Sequence, residues 1–357
     1  MTIEHSGTPP SDKKAGAKNL RLAAGLAVSV LFGWLALRGV DYQEAAAIAW
    51  QINLLWLAAG VLLLAVGTAA KASRWQLLFY PVRSLRWLGL LSAMMVGYLV
   101  NTVLPARLGE LARVYLVSRA GRAAPAHTLS TIVVERVLDS LTLLIFLVGV
   151  MPFLPVPDLI RRSVLTLGLG GVLAFGLMMA MALRADHGLA LFAIPLQLVP
   201  IRYRAWLTAE LENALSGLDA LRNPRVHAAA WGWSLLIWAL MGGSVYMFML
   251  AFDLAVPATV AILLVSVLNL GMIIPSSPGY IGVYHFLAVQ TLGPFGVAPS
   301  LAMSFAIILH LANFGSLSLG GLICMVREGL SFSDLSKRRV RSAAPTKPAV
   351  QHKEVQL

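Results

Sequence analysis

Charged residues inside apolar sequence are the first candidates for chemistry, because each costs about 2.5–3.5 kcal/mol to place in a bilayer. Six of them lie close together in the chain: Arg107, Glu110, Arg113, Glu135, Arg136 and Asp139. Glu135 and Asp139 share one helix face, while Arg136 points away from it. The guanidinium groups could grip a phosphate bidentately while the carboxylates orient them. The alternative is that these residues form buried ion pairs that only join two helices.

Two segments rich in proline and glycine interrupt long apolar stretches. Their candidate residues are Pro105, Gly109, Pro275, Ser277, Pro278, Gly279 and Gly282. Proline removes a backbone donor and glycine relaxes the chain, so each segment is expected to break a helix and free backbone groups. A helix that begins after the second break would aim its N–H groups and positive dipole end at an anion. Inside a membrane, such backbone is tolerated only where protein or a watery cavity surrounds it.

Four neutral polar residues accompany the breaks: Asn101, Asn269, His285 and His310. The asparagines could satisfy free backbone groups or contact a ligand. The histidines could be hydrogen-bonded packing residues or proton carriers. The chain has one cysteine and none of the zinc-protease, nucleotide-binding or serine-hydrolase motifs. We therefore expect a protein that is not an enzyme, with no catalytic group, cofactor or metal.

The composition excludes a soluble globular protein. Hydrophobic residues make up 58% of the chain and charged residues only 12%, and the mean hydropathy is +0.78. Backbone inside a bilayer must satisfy its own hydrogen bonds, so we predict an all-α, polytopic integral membrane protein. The net charge of +12 would suggest nucleic acid in a soluble protein. Here the bases lie between apolar segments, so the expected partners are membrane lipids with polar or anionic headgroups and not nucleic acid.

Eight helical units are predicted from the apolar runs. Six should span the membrane, at residues 20–37, 52–70, 127–153, 163–183, 228–252 and 301–326. Two are interrupted hairpins, at residues 87–119 and 256–294. Outside the bundle, the leucine spacing predicts an amphipathic helix at residues 201–221, and basic tails are expected at residues 1–19 and 327–357.

The positions of lysine and arginine decide how these units are threaded. If both hairpins are re-entrant, 24 of the 28 bases lie on the cytoplasmic side together with both termini, as in a bacterial inner membrane. Residues 20–155 and 163–326 then form an inverted repeat with a substrate site between the two breaks. The alternative is that these prolines and glycines reflect only their general frequency in membrane helices.

Three motifs, in this order, resemble the lysylphosphatidylglycerol synthase transmembrane (flippase-like) family. They are Asn101-Thr-Val-Leu-Pro105-Ala-Arg107-Leu-Gly109-Glu110-Leu-Ala-Arg113, Glu135-Arg136-Val-Leu-Asp139 and Pro275-Ser-Ser-Pro278-Gly279-Tyr-Ile-Gly282-Val. The resemblance implies the lipid-flipping part of bacterial lysyl-lipid synthases, which also occurs alone in proteins linked to hopanoid synthesis and archaeal glycosylation. Only about thirty residues follow the last apolar run, so no aminoacyl-transferase activity is expected. Tyr284-His285 stands where many members carry an acidic residue, which argues against a lysyl-lipid substrate.

The leading expectation is a lipid translocase or carrier that moves a polar or anionic lipid between leaflets. Its headgroup site would contain Arg107, Arg113, Arg136, Glu110, Glu135, Asp139 and Asn101. The rival expectation is a non-transporting scaffold or accessory subunit of lipid- or glycan-synthesis enzymes. A membrane-embedded transferase fits worst, because no catalytic group is recognisable.

Overall fold

The computed structural model describes residues 27–82, 85–104, 108–119, 121, 123–154, 158–183, 200–272 and 277–330. Within these ranges the chain is helical and has no strand, which confirms the all-α prediction. Pro105, Arg107 and Pro275 lie outside the described residues, as do the predicted tail at residues 1–19 and residues 331–357 of the other tail.

In the described part, the first half of the chain forms six helices. They are α1 (Ala27–Ala36), α2 (Tyr42–Trp50), α3 (Leu54–Leu78), α4 (Trp87–Val103), α5 (Gly109–Arg119) and α6 (Pro125–Val150). Side-chain oxygens cap the N-termini of two of them. Asp41 accepts hydrogen bonds from two backbone N–H groups of α2, and Asn53 accepts hydrogen bonds from two of α3. The break between α4 and α5 coincides with the first proline–glycine segment.

In the described part, the second half of the chain forms eight helices. Its helices are α7 (Asp158–Leu183), α8 (Ile201–Ser216), α9 (Asp219–Arg222), α10 (Pro224–Ala251), α11 (Ala258–Gly271), α12 (Val283–Leu292), α13 (Pro299–His310) and α14 (Ser316–Arg327). Asn223 caps the N-terminus of α10, as Asn53 caps that of α3, by accepting hydrogen bonds from two backbone N–H groups. A π-helical turn, Leu311–Gly315, joins α13 and α14 into one continuous helix.

Three helices of the described part are long and apolar enough to cross a membrane: α3, α10 and the continuous helix Pro299–Arg327. α6 has a similar length, with 26 residues, but it carries Glu135, Arg136 and Asp139. The chain is therefore an all-α membrane protein.

The helix boundaries differ from the sequence prediction in three places. α3 continues to Leu78, beyond the predicted end at Ala70, so Lys71 and Arg74 lie in a packed helix and not in a loop. α2 was not predicted. The predicted amphipathic helix at residues 201–221 is two helices separated at Gly217, which packs against the carbonyl of His127 at the start of α6.

The two halves pack through reciprocal contacts. α3 and α10 lie along each other at the centre, where the Ser244 hydroxyl donates to the Gly60 carbonyl at 2.7 Å. The first arm of each interrupted pair packs on the last helix of the other half: α4 on α14, and α11 on α6. Two further helices also pack on the opposite half: α2 on α13, and α8 on α6.

Candidate functional site

A cavity of about 250 Å³ lies between the two halves. The first half contributes residues of α3, α4, α5 and α6, and the second half contributes residues of α10, α11, α12, the π-helical turn and α14. The lining combines apolar side chains such as Leu64, Leu143 and Met241 with polar ones from both breaks. The cavity is therefore amphipathic and bordered by both interrupted segments.

The charged side chains of the described lining all come from the first half. They are Lys71 of α3, Glu110 of α5, and Arg136 and Asp139 of α6. The second half contributes uncharged polar groups, among them Ser244, Asn269, Tyr280, Tyr284 and Asn313. We call these surfaces the charged wall and the neutral wall.

A buried ion pair supports the charged wall from behind. Arg113 donates to both oxygens of Glu135, at 3.2 and 2.6 Å, and both side chains are almost completely buried. The Arg113 guanidinium also stacks on the Trp75 ring, 4.0 Å from its centroid. Arg136 donates to the same carboxylate at 3.2 Å, but its side chain is 47% exposed and reaches the cavity. The Arg113–Glu135 pair thus joins α5 to α6. Of Arg113, Glu135 and Arg136, Arg136 alone faces the cavity.

A second buried network fixes Asp139. Arg74 of α3, which is fully buried, approaches one Asp139 oxygen at 2.8 Å and also donates to the Ser234 hydroxyl at 2.8 Å. The indole N–H of Trp238 donates to the same Asp139 oxygen at 3.0 Å. Because these contacts connect α3, α6 and α10, they hold the charged wall against the central helix of the other half.

Lys71 extends this network into the cavity. Its ammonium lies 4.9 Å from the centroid of the Trp238 ring, a cation–π arrangement. Lys71 forms no ion pair with any residue in the described ranges. Among the described residues, the Trp238 ring is therefore the contact that faces its charge.

The first break is closed by a side chain and a tight helix contact. The Asn101 amide oxygen accepts the backbone N–H of Gly109 at 2.7 Å, and its NH₂ group lies 3.4 Å from each Glu110 oxygen. A Cβ at Gly109 would collide with the Gly97 carbonyl, so only glycine allows α4 and α5 to approach this closely. Asn101 and Glu110 also line the cavity. Asn269 instead donates within α11 to the Val265 carbonyl at 2.8 Å.

The second break is held mainly through its backbone. Gly279 has a φ of +71° and lies beside Thr102 at the end of α4, so the two breaks meet. The His310 ring donates from Nε2 to the Gly279 carbonyl at 2.8 Å. The Ser277 N–H donates to the Ser29 hydroxyl of α1 at 2.7 Å. Gly282, with a φ of +91°, packs directly on α1 at the Ser29 carbonyl.

An aromatic cluster covers the second break. Its rings belong to Tyr280, Tyr284, His285, His310 and Phe314. Tyr280, Tyr284 and Phe314 line the cavity, while the two histidines lie behind them. His285 accepts the Gly282 N–H at 3.4 Å, so both histidines bond the break backbone, as packing residues do. The π-helical turn that begins after His310 places Asn313 and Phe314 on the cavity side.

The structure brings most predicted residues to one place but divides them by role. Arg136, Glu110, Asp139 and Asn101 line the cavity. Arg113 and Glu135 bind each other behind it, so the buried ion-pair interpretation fits them. Ser277, Pro278, Gly279, Gly282, His285 and His310 form the second break and its support. Arg107, Pro105 and Pro275 lie outside the described residues, and their roles stay predictions.

Sequence reasoning missed Lys71, Arg74 and Trp238. Lys71 and Arg74 were counted among the bases of the cytoplasmic region after the second predicted span, but both lie in α3. The missed signal is that residues 69–78 contain no proline or glycine to end α3. Trp238 gave no such signal, because its role depends on facing α3 and α6.

Comparisons with known proteins place this architecture in a family. The model of the lysylphosphatidylglycerol synthase TM region matches residues 22–321. Glycosyltransferase AglD of Haloferax volcanii is 23% identical over 88% of this chain, and the match covers 56% of that protein. A UPF0104 membrane protein of Methanothermobacter thermautotrophicus is 23% identical over 68% of this chain and 75% of its own length. No solved structure matches the chain. The chain belongs to the family of the lysylphosphatidylglycerol synthase transmembrane region.

Proposed function

We propose that this protein is a carrier that moves the polar or anionic headgroup of a membrane lipid between the two leaflets. The observation that carries the proposal is the cavity between the halves, with charges on one wall and neutral groups on the other. Its volume of about 250 Å³ is close to the lower end of ligand sites, about 300–1,000 Å³. Such a space suits a small headgroup and not a whole lipid.

The arrangement of the walls suggests how transport would work. The headgroup would bind at Arg136 and Lys71, with Glu110, Asp139 and Asn101 positioning it, while the lipid tails remain in the bilayer. Each wall belongs to a different half, so rocking one half against the other would open the cavity to each leaflet in turn. No residue is given a bond-breaking role, and we propose transport without catalysis.

The carrier is proposed to lie in the bacterial inner membrane with both termini in the cytoplasm, as the distribution of lysine and arginine favours. In this threading the hairpins enter from opposite faces. Reporter tags near Gly121 and near Pro299 should then report opposite sides of the membrane. Two tags on one side would contradict the inverted arrangement.

A blocking substitution tests the carrier function. Ser140 lines the cavity on α6, so Ser140→Trp should fill the space and abolish headgroup translocation. The measurement is the movement of a fluorescent lipid in proteoliposomes, followed by chemical quenching of the outer leaflet. Val133→Trp is the matched control, because Val133 lies on the same helix with a 50% exposed side chain. Equal translocation by both variants would contradict transport through this cavity.

The second candidate is an accessory membrane subunit of a glycan- or lipid-synthesis enzyme. This function is favoured by the similarity to a protein named a glycosyltransferase, because the match covers only part of that protein. Such a subunit would need an exposed docking surface, and α8 presents Ile201, Tyr203 and Trp206 at its start. This function predicts that Ser140→Trp leaves product synthesis in cells intact while Trp206→Glu reduces it. The carrier function predicts loss with Ser140→Trp.

A further inference from the structure

The charged wall and its supporting network carry more positive than negative groups. The described cations are Lys71, Arg74, Arg113 and Arg136, and the described carboxylates are Glu110, Glu135 and Asp139. An uncompensated cation inside a membrane protein is costly unless a partner or water reaches it. The described residues of this part therefore hold one carboxylate fewer than cations, and a ligand in the cavity could supply the additional negative charge.

Two of the three carboxylates already contact cations, and the third, Glu110, lies 3.4 Å from the Asn101 amide nitrogen. Glu135 uses both oxygens on Arg113 and shares one with Arg136. Asp139 uses one oxygen on Arg74 and Trp238, and its other oxygen is 3.9 Å from Arg136. Lys71 is the cation of the charged wall that forms no ion pair with a carboxylate of the described residues.

Lys71 is held where a ligand could reach it. The Trp238 ring beneath it is fixed by its bond to Asp139, and Asp139 is fixed by buried Arg74. A cation–π contact orients an ammonium group but adds no negative charge. The ammonium has three N–H donors, and none of them reaches a carboxylate of the described residues.

Arg136 lines the same cavity and is also only partly used. It makes one hydrogen bond, to Glu135 at 3.2 Å, among the described residues, although a guanidinium has five N–H donors. Its 47% exposed side chain leaves donors available to a ligand. An ammonium and a guanidinium facing one cavity match the oxygens of a phosphate group.

We infer that Lys71 and Arg136 form a phosphate site, and that Lys71 selects anionic over zwitterionic phospholipids. The inference rests on the proposed function in taking the ligand to be the transported lipid. A phosphodiester with an uncharged alcohol carries the one negative charge that the wall lacks. A choline headgroup would bring its own cation beside Lys71 and Arg136, so it binds less well.

The test is equilibrium binding to the full-length protein in detergent micelles, measured by native mass spectrometry. Phosphatidylglycerol and phosphatidylcholine with the same acyl chains are the two probes. The wild type should prefer phosphatidylglycerol, and Lys71→Gln should weaken its binding about tenfold or more while leaving phosphatidylcholine binding unchanged. Lys71→Arg should restore much of the preference. Arg225→Gln is the matched control, because it removes an exposed cation outside the cavity.

Several outcomes would overturn the inference. Equal binding of the two lipids by the wild type would remove the anion preference, and unchanged binding by a folded Lys71→Gln variant would remove Lys71 from the site. Inorganic phosphate at millimolar concentration should not displace phosphatidylglycerol; displacement would assign the site to the free ion. A thermal unfolding curve for each variant separates lost binding from lost folding.

Binding and transport are measured separately, so the two proposals can fail separately. Selective phosphatidylglycerol binding with no translocation in proteoliposomes would contradict the carrier and preserve the phosphate site. Translocation that is equally fast for both lipids and insensitive to Lys71→Gln would preserve the carrier and contradict the selectivity of this site.

Discussion

The two walls of the cavity each include an interrupted helical segment but are stabilised in different ways. On the charged wall, side chains form the stabilising contacts: Arg113 binds Glu135, Arg74 binds Asp139, and Asn101 caps α5. On the neutral wall, the break backbone is itself the partner, through the Gly279 carbonyl and the Ser277 N–H. One interrupted-helix design therefore supports either a charged or a neutral surface.

The two walls therefore offer different groups to a ligand: charges on one, and aromatic or amide groups on the other. In the proposed carrier, a headgroup would be oriented, because only the charged wall can neutralise it. Buried ion pairs are weak contributors to stability when intact, but removing one partner leaves an uncompensated charge. The charged wall should therefore be the more fragile of the two towards single substitutions.

The largest expected effect is on the Arg113–Glu135 pair. Glu135→Leu leaves the buried Arg113 guanidinium without its bidentate partner, so the free energy of unfolding should fall by about 3–5 kcal/mol. The measurement is unfolding of the purified protein in detergent, followed by temperature or denaturant.

Two further variants sharpen that comparison. Arg113→Met combined with Glu135→Leu removes both charges and should recover most of the lost stability. On the neutral wall, His310→Phe removes one hydrogen bond to the Gly279 carbonyl and should cost only about 1–3 kcal/mol. A loss for His310→Phe as large as that for Glu135→Leu would show that the walls do not differ in this way.

An added methyl group at each break should also destabilise the protein, and more strongly at the second break than at the first. Gly282→Ala places a Cβ against the Ser29 carbonyl at a φ of +91°, so it combines overpacking, about 1–3 kcal/mol, with backbone strain of about 1–2 kcal/mol. Gly109→Ala places a Cβ against the Gly97 carbonyl and 2.6 Å from the Asn101 amide oxygen, without a positive φ. It should cost about 1–3 kcal/mol. Both effects are read from the same unfolding curves.

Gly170→Ala is the control for this series. Gly170 lies in α7 with nothing within 4 Å of an added Cβ. The change should be neutral or stabilise the helix by about 0.5–1 kcal/mol. If Gly109→Ala behaves like Gly170→Ala, close approach of α4 and α5 is not what Gly109 provides.

Much of the fold could be predicted because it depends on local sequence. Apolar run length predicted the three described helices that can cross a membrane, and proline with glycine predicted both breaks, between α4 and α5 and between α11 and α12. Helical spacing correctly placed Glu135 and Asp139 together on a buried face, with Arg136 turned away from it. These features follow from the period of one helix and from the backbone limits of proline and glycine.

What the sequence by itself determined, then, is which segments are helical, where they break and which residues share a face. The tertiary structure decided which polar groups form hydrogen bonds between helices. Arg113 bonds Glu135 22 residues away, Arg74 bonds Ser234 160 residues away, and His310 bonds the Gly279 carbonyl 31 residues away. Helical periodicity fixes neighbours within a helix but not the helix opposite them. For that reason Arg113 and Arg136, both predicted to bind the headgroup, have different surroundings, one buried and the other open to the cavity.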